Sequence, residues 1–364
     1  RNLLTIIFYS FTLYPELPAA LILRKGELNM YHERFTGSHY EIGYRWGSLL
    51  AKHGKFILDQ IPFSVTKERI AYAEASIPVY QAYFPEILEE IQGIADGQRT
   101  KNELFRAVLI SMYSMPPEEH CSCFAVSNGE AIILGRNSDF LTELEEKNMN
   151  VIYRLSSDSY DFTGNTTAFV EMEDGVNEKG LAVGLTSVYP IRIQPGMNAG
   201  MLLRFFLERC CTVDEVIQWT KRLPIGSAQT FTVADAKGKI ALIECCADGI
   251  GVVCPQDEHS FVCATNRFHT KELEQHNKSG VDDWFAETRY QTMKKTLEEK
   301  SKSMDLSGAE RLLSGKDGFI CQYDRKTGRD TVWSVVYDLA NHSIYRTEGN
   351  PSRWQYKADK RFLF

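Results

Sequence analysis

Residues 121–140 read CSCFAVSNGEAIILGRNSDF. Asn128–Gly129 lies between two apolar runs, and Asn-Gly supplies the positive φ angles that a two-residue hairpin turn needs, so the stretch predicts two antiparallel strands. The second strand of a hairpin returns to the start of the first. Arg136, Asn137 and Asp139 are thereby carried back toward Cys121 and Cys123. Any fold of this chain has to place two thiols, a guanidinium and a carboxylate at one end of one ladder.

The rest of the chain divides around this hairpin. From Met30 to about residue 117 the pattern is mostly helical: residues 39–61 carry apolar residues at mixed three and four spacing. Residues 84–97 start with proline and end with glycine, and Thr100 with Glu103 reads as a capping box opening a helix over 100–113. Pro116–Pro117 ends the helices. Beyond them come predicted strands at 150–156, 167–172 and 180–189 and a hairpin over 230–246. Short strands follow near 250–255 and 261–266, with a last hairpin over 331–351. Helices are expected at 212–223, with Thr212 and Glu215 as a capping box, and at 282–301. Hairpins with helices grouped between them predict an α+β architecture of two sheets between helical layers.

The formal charge of −7 comes without a basic stripe, so the electrostatic footprint of a nucleic-acid binder is missing. Nine cysteines, four of them in the adjacent pairs Cys210–Cys211 and Cys245–Cys246, make no spaced disulfide framework. This reads as a reduced, cytoplasmic protein with buried thiols. The apolar stretch 3–23 is interrupted by Pro15, Glu16 and Pro18, which argues against a signal peptide or membrane anchor. KGELNM at 25–30 can be encoded by a purine-rich sequence like a bacterial ribosome-binding site. The expectation is that Met30 is the natural start of a bacterial protein and that 1–29 is upstream-translated leader.

Cys121 and Cys123 admit three readings: ordinary core thiols, metal ligands together with His120, or a nucleophile. Zinc needs a second ligand pair at recognisable spacing, and none stands out, so no metal is expected. A nucleophilic thiol needs a base and a cationic or polar shell, and the hairpin offers Arg136 and Asp139 for that shell. His39, His53, His259, His269, His276 and His342 belong to no motif, which leaves a histidine-dependent, papain-like protease without support.

The run Gly135-Arg136-Asn137-Ser138-Asp139-Phe140 resembles the nucleophile hairpin of the N-terminal-nucleophile hydrolases. The similarity is greatest to the branch holding choloylglycine hydrolase, penicillin V acylase and the acyl-CoA:6-aminopenicillanic acid acyltransferase-like proteins. Further landmarks follow in order: DGVNEKGLAVGL (174–185), TFTVADAKGKIALIEC (230–245), ATNRF (264–268) and the closing TVWSVVYDLANHSIYRTEGNP (331–351). FTGSHYEIGYRWG (35–47) is similar to the start of the acyltransferase-like subgroup, so the likeness spans Phe35 to Pro351.

The resemblance implies a four-layer αββα sandwich in which 30–120 is a helical pro-segment and 121–364 the catalytic chain. The acyltransferase-like branch places its aspartate eighteen positions after the nucleophile, so the resemblance selects Cys121 over Cys123. It implies cleavage of the His120–Cys121 bond, with the freed Cys121 α-amine as general base. By the same likeness, Arg136 holds substrate or thiolate, Asp139 orients the α-amine, and Asn266 donates to the oxyanion. Thr186 stands where the family has an asparagine near the oxyanion, and Arg329 matches a second family arginine, with Arg325 close by. The implied activity is hydrolysis of a linear amide, or acyl transfer, through a Cys121 thioester. The partners expected are a small-molecule amide or acyl donor, with no cofactor, nucleic acid or membrane, and a homo-oligomer is compatible. A non-catalytic small-molecule-binding module keeping this fold is the alternative.

Overall fold

The computed structural model describes residues 30–115, 120–156, 158–255 and 260–364. The leader expected over 1–29 and the helix stop at Pro116–Pro117 lie outside the described residues. The elements in chain order are β1 (Tyr31–Gly37), α1 (His39–Lys52), α2 (Lys67–Tyr83), α3 (Pro85–Gly97), α4 (Asn102–Ser111), β2 (His120–Ser127) and β3 (Ile132–Leu141). There follow β4 (Met149–Leu155), β5 (Phe162–Thr166), β6 (Asp174–Asn177), β7 (Ala182–Ser187), α5 (Ala199–Arg209) and α6 (Val213–Arg222). The chain continues through β8 (Gln229–Ala234), β9 (Ile240–Cys246), β10 (Gly249–Val253), β11 (Ser260–Ala264), α7 (Ala286–Lys300) and α8 (Leu306–Leu313). It closes with β12 (Arg329–Asp338), β13 (Ser343–Thr347) and β14 (Lys357–Asp359).

Two sheets form. One runs β1-β4-β5-β6-β7-β8-β9-β10 and the other β11-β2-β3-β12-β13-β14. Their facing sides share a core in which Cys123, Ala125, Leu134, Val335 and Tyr337 of the second sheet meet Ile152, Val176, Ala182, Ala234 and Leu242 of the first. The outer side of the first sheet packs Val151, Tyr153, Val183 and Phe231 against helices of the α1–α6 group through Ile42, Ile91, Val108, Phe205 and Val216. On the outer side of the second, Phe124, Ile133 and Val336 lie under Met293, Leu297, Leu312 and Leu313 of α7 and α8. The architecture is the αββα sandwich that the hairpins and the resemblance led one to expect.

Local rules account for most boundaries. Pro85 sits in the first turn of α3, where its missing N–H costs nothing. The Thr212–Glu215 capping box forms on α6. The Thr100–Glu103 box does not: α4 starts one turn position later, with Lys101 at its N-cap and no side-chain cap. The helix expected over 39–61 ends at Lys52, because Gly54 takes φ 70° and turns the chain into a short 3₁₀ segment at Ile57–Asp59.

Two corrections concern strands. Residues 167–172 are not a strand. Phe169 takes φ 58°, and Glu173 Oε1 accepts from the Thr167 backbone N–H at 3.1 Å and from Thr167 Oγ1 at 2.7 Å, so the segment is a side-chain-closed turn between β5 and β6. Conversely, β1 lies inside the stretch read as helical. It pairs in parallel with β4 at the sheet edge, where of its seven residues only Phe35 is fully buried, which is why its strand pattern is faint. No helix among the described residues is long and apolar enough to cross a membrane.

Candidate active site

The β2–β3 ladder sets the site. Cys121 lies opposite Ser138 and Cys123 opposite Arg136, while His120 lies opposite Asp139 and Ser122 opposite Asn137. Side chains alternate across a strand, so Cys121, Cys123, Arg136 and Ser138 point between the sheets, and His120, Ser122, Asn137 and Asp139 point to the α7–α8 side. His120 and the two thiols therefore face opposite ways and cannot share one metal ion.

On the inner face Arg136 is fully buried and holds the thiol. Its Nη2 donates to Cys121 Sγ at 2.8 Å, Nη1 to Asp174 Oδ2 at 2.8 Å and Nε to the Leu185 carbonyl at 2.9 Å. Glu173 Oε2 lies 3.3 Å from Nη2 and also accepts from Ser138 Oγ. Asp174 is in turn bonded by Trp333 Nε1 at 3.0 Å and Tyr337 Oη at 2.7 Å. Burial pushes the Glu173 carboxyl up, against the pull of the Arg136 charge. Cys123, two residues on, packs so tightly that a Cβ on Gly184 would lie 2.5 Å from its Sγ, and burial pushes its thiol up to about 12. Cys123 is a core thiol.

On the outer face Arg289 of α7 holds the backbone of the same residue. Nη1 donates to the Cys121 carbonyl at 2.6 Å and to Ser122 Oγ at 2.9 Å, and Nη2 donates to Asn266 Oδ1 at 2.9 Å. Asn266 Oδ1 also accepts from the Cys121 N–H at 2.9 Å, and its Nδ2 donates to the Ser187 carbonyl at 2.8 Å. Two donors converging on Oδ1 fix the orientation of the carboxamide. Asp139 accepts from Thr331 Oγ1 at 2.5 Å and Tyr323 Oη at 3.0 Å and pairs with Arg289 Nη1 at 3.6 Å. Burial pushes the Asp139 carboxyl up to about 6, against the opposing charge of Arg289.

His120 is fully buried and stacks on Trp284, with ring centroids 4.5 Å apart and planes at 23°; Tyr189 lies at 6.2 Å. Burial first, then the charges of Arg289 and Arg329, hold its imidazole well below the usual range. Arg329 sits over the Trp284 ring at 4.8 Å and pairs with Asp282.

The expected residues are thus partly gathered. Cys121, Arg136 and Asn266 share direct hydrogen bonds. Asp139 is one bonded residue removed: its partner Arg289 grips the Cys121 carbonyl, while the Cys121 nitrogen faces Asn266 instead. Thr186 lies one residue from the Asn266 contact, but its Oγ1 donates to the Thr265 carbonyl at 2.6 Å and meets Thr230 Oγ1, steadying the strand rather than reaching the thiol. Arg329 borders His120, and Arg325 is bound to Glu145 and Asp330. Sequence reasoning missed Arg289, Glu173 and Trp284. None is near Cys121 in sequence. Asp174 opened a recognised motif but received no role.

A separate group, Cys246, Asp248 and His276, brings three possible ligand atoms within 4.8 Å of one another. Arg192 already donates to Asp248 Oδ1 at 2.6 Å, a charge that opposes a cation there.

The profile of the acyl-coenzyme A:6-aminopenicillanic acid acyl-transferase family matches residues 126–353, more than half of the chain. The chain belongs to this family. The matched span opens inside β2, beyond Cys121. No curated protein sequence matches the chain. Among known structures it is similar to penicillin V acylase from Agrobacterium tumefaciens (15% identity over 63% of this chain and 82% of that one, TM-score 0.43). A mutant of conjugated bile acid hydrolase from Clostridium perfringens is also similar (14% identity over 67% of this chain and 97% of that one, TM-score 0.43). So is the Caenorhabditis elegans ortholog of N-acylethanolamine-hydrolyzing acid amidase (18% identity over 60% and 93%, TM-score 0.44).

Proposed function

We propose that this family member is cut before Cys121 and then cleaves or transfers the acyl group of a small linear amide through a Cys121 thioester. The observation that carries the reading is the 2.8 Å contact from the buried Arg136 guanidinium to Cys121 Sγ, made while Asn266 and Arg289 hold the nitrogen and carbonyl of the same residue. A thiol that accepts a hydrogen bond from a fixed guanidinium, in a residue whose backbone is held at both ends, is poised in position.

In processing, Cys121 Sγ attacks the His120 carbonyl carbon. The C–N bond to Cys121 breaks, and the thiol proton ends on the freed nitrogen. Water then splits the thioester, leaving a His120 carboxylate and regenerating the thiol. In turnover the α-amine takes the thiol proton, the thiolate adds to the substrate carbonyl, and the collapsing adduct expels the amine, which leaves with that proton. Water or an acceptor amine attacks the thioester to give acid or new amide.

Asn266 presents an acceptor to the Cys121 nitrogen, which suits holding the α-amine. This differs from the oxyanion donor implied by resemblance. Arg289 carries the influence of Asp139 to the backbone of Cys121. An activated ester tests the reading: a single acyl mass on the peptide beginning at Cys121 supports it. Processed protein that takes no acyl group, while Cys121 still reacts with a small thiol reagent, would make the chain a binding module.

A further inference from the structure

The bond to be cut joins His120 to Cys121, and one short segment of the chain grips both residues. Trp284 lays its indole on the His120 imidazole, with ring centroids 4.5 Å apart, planes at 23° and both side chains fully buried. Five residues on, Arg289 donates to the Cys121 carbonyl at 2.6 Å and to Asn266 Oδ1, which also accepts from the Cys121 N–H. The same guanidinium folds back on its own segment, Nε donating to the Trp284 carbonyl and Nη2 to the Asp283 carbonyl, both at 3.0 Å. The ring over His120 and the donor to Cys121 are thereby fixed relative to each other.

The His120 side chain points to the outer side of β2 and the Cys121 thiol to the inner side. The stack therefore acts on the residue that supplies the scissile carbonyl, from the side opposite the thiol. His120 opens β2, and strand ends are where pairing gives way most readily. Among the described residues neither of its ring nitrogens has a hydrogen-bond partner. Ring packing, with Trp284 against one face and Tyr189 at 6.2 Å, is what orients the side chain.

The gripping segment is strained. Trp284 and Phe285 take φ 50° and 61°, a left-handed conformation that bulky residues rarely adopt. Phe285 is 62% exposed, so burial of its own ring does not account for this, and α7 starts there without a side-chain cap. Strained backbone persists where the surroundings enforce it, and it gathers at functional sites. The pair lies between the Trp284 ring and the helix that carries Arg289, so it sets how the two reach His120 and Cys121.

We propose that Trp284 is a positioning residue for self-cleavage: its stack holds His120 so that the scissile carbonyl stays within reach of the Cys121 thiol. The step served is addition of Sγ to the His120 carbonyl carbon, after which the C–N bond breaks and the freed nitrogen takes the thiol proton. Trp284 supplies no group to that step and acts through His120 alone.

This inference rests on the reading that the chain is cut before Cys121, and the experiment separates the two. The full chain is made in a short cell-free pulse, and its conversion to two fragments is followed at neutral pH by intact mass. Trp284→Leu should slow conversion by about tenfold or more, the scale of effect when a reacting group is loosely placed. Trp284→Phe, which keeps a flat ring, should restore most of the rate. His120→Phe, which can still stack, should convert about tenfold faster than His120→Ala, and Trp284→Leu should erase that difference.

A wild-type chain that stays whole overturns both the cleavage reading and the positioning role. A wild-type chain that is cut, with Trp284→Leu cut as fast, overturns the positioning role alone. So does a slowing by Trp284→Leu that is as large in the His120→Ala chain, because Trp284 then acts through the fold and not through the stack. Folding is read separately, from thermal melts of the same substitutions in the uncut Cys121→Ala chain. Should Trp284→Leu not fold there, the comparison of His120→Phe with His120→Ala decides, and equal rates for those two overturn the proposal.

Discussion

Asp139 lies directly opposite His120 in the β2–β3 register, so its carboxylate is on the other side of the sheet from Arg136 and the Cys121 thiol. The bulge between Thr331 and Trp333 in β12 serves both sides. It lets Thr331 bond Asp139 outside while Trp333 bonds Asp174 inside, two residues that would otherwise share a face. Cys121 is thus held from both faces of one sheet.

Processing should be specific to Cys121. Intact-mass measurement of fresh protein should show two fragments divided before Cys121. Cys121→Ala should remain one chain, and Cys123→Ala should still divide, because the Cys123 thiol is a packed core group. Cleavage blocked only by the second substitution would assign the nucleophile to Cys123.

Arg136 should tolerate little change. Removing it in Arg136→Ala leaves Glu173 and Asp174 buried without their cation, a loss of about 3–5 kcal/mol in stability, read by denaturant unfolding. Arg136→Lys keeps the charge but cannot span Cys121 Sγ, Asp174 and the Leu185 carbonyl together. It should fold, and acyl labelling of Cys121 should slow by roughly tenfold or more. Wild-type labelling in this variant would remove Arg136 from the chemistry.

Asp139 gives a pH signature. Its folded-state carboxyl titrates at about 6 against an ordinary 3.8. Between those values the folded chain binds the proton and the unfolded chain does not, so this group makes stability fall as pH rises through the window, by up to about 3 kcal/mol. In the uncut Cys121→Ala background, Asp139→Asn should remove that part of the slope between pH 4 and 6.5 in thermal melts. An unchanged slope would show that Asp139 is not its source.

After cleavage the two fragments should stay together. Arg204 of α5 pairs with Glu90 of α3 at 2.9 Å and with Glu208 at 2.5 Å, and His39 of α1 meets Glu208 at 3.2 Å, all of them buried. Size-exclusion chromatography should show one species containing both fragments. Arg204→Ala, which strands two buried carboxylates, should lose about 3–5 kcal/mol and weaken the association.

The amino-acid sequence determined the hairpin, the helix starts at Pro85 and Thr212, and the order of motifs that marks the family, because turns, caps and alternation are properties of neighbouring residues. It also placed Arg136 beside Cys121, since one ladder joins them. Asp139 lies three positions from Arg136 on one strand, so alternation puts the two on opposite faces, but which face carries the thiol depends on the pairing register, which the sequence could not show. Nor could it bring Arg289 to the Cys121 carbonyl or Trp284 onto His120. Those contacts join positions more than 160 residues apart, and they exist only because α7 packs across the outer side of the second sheet.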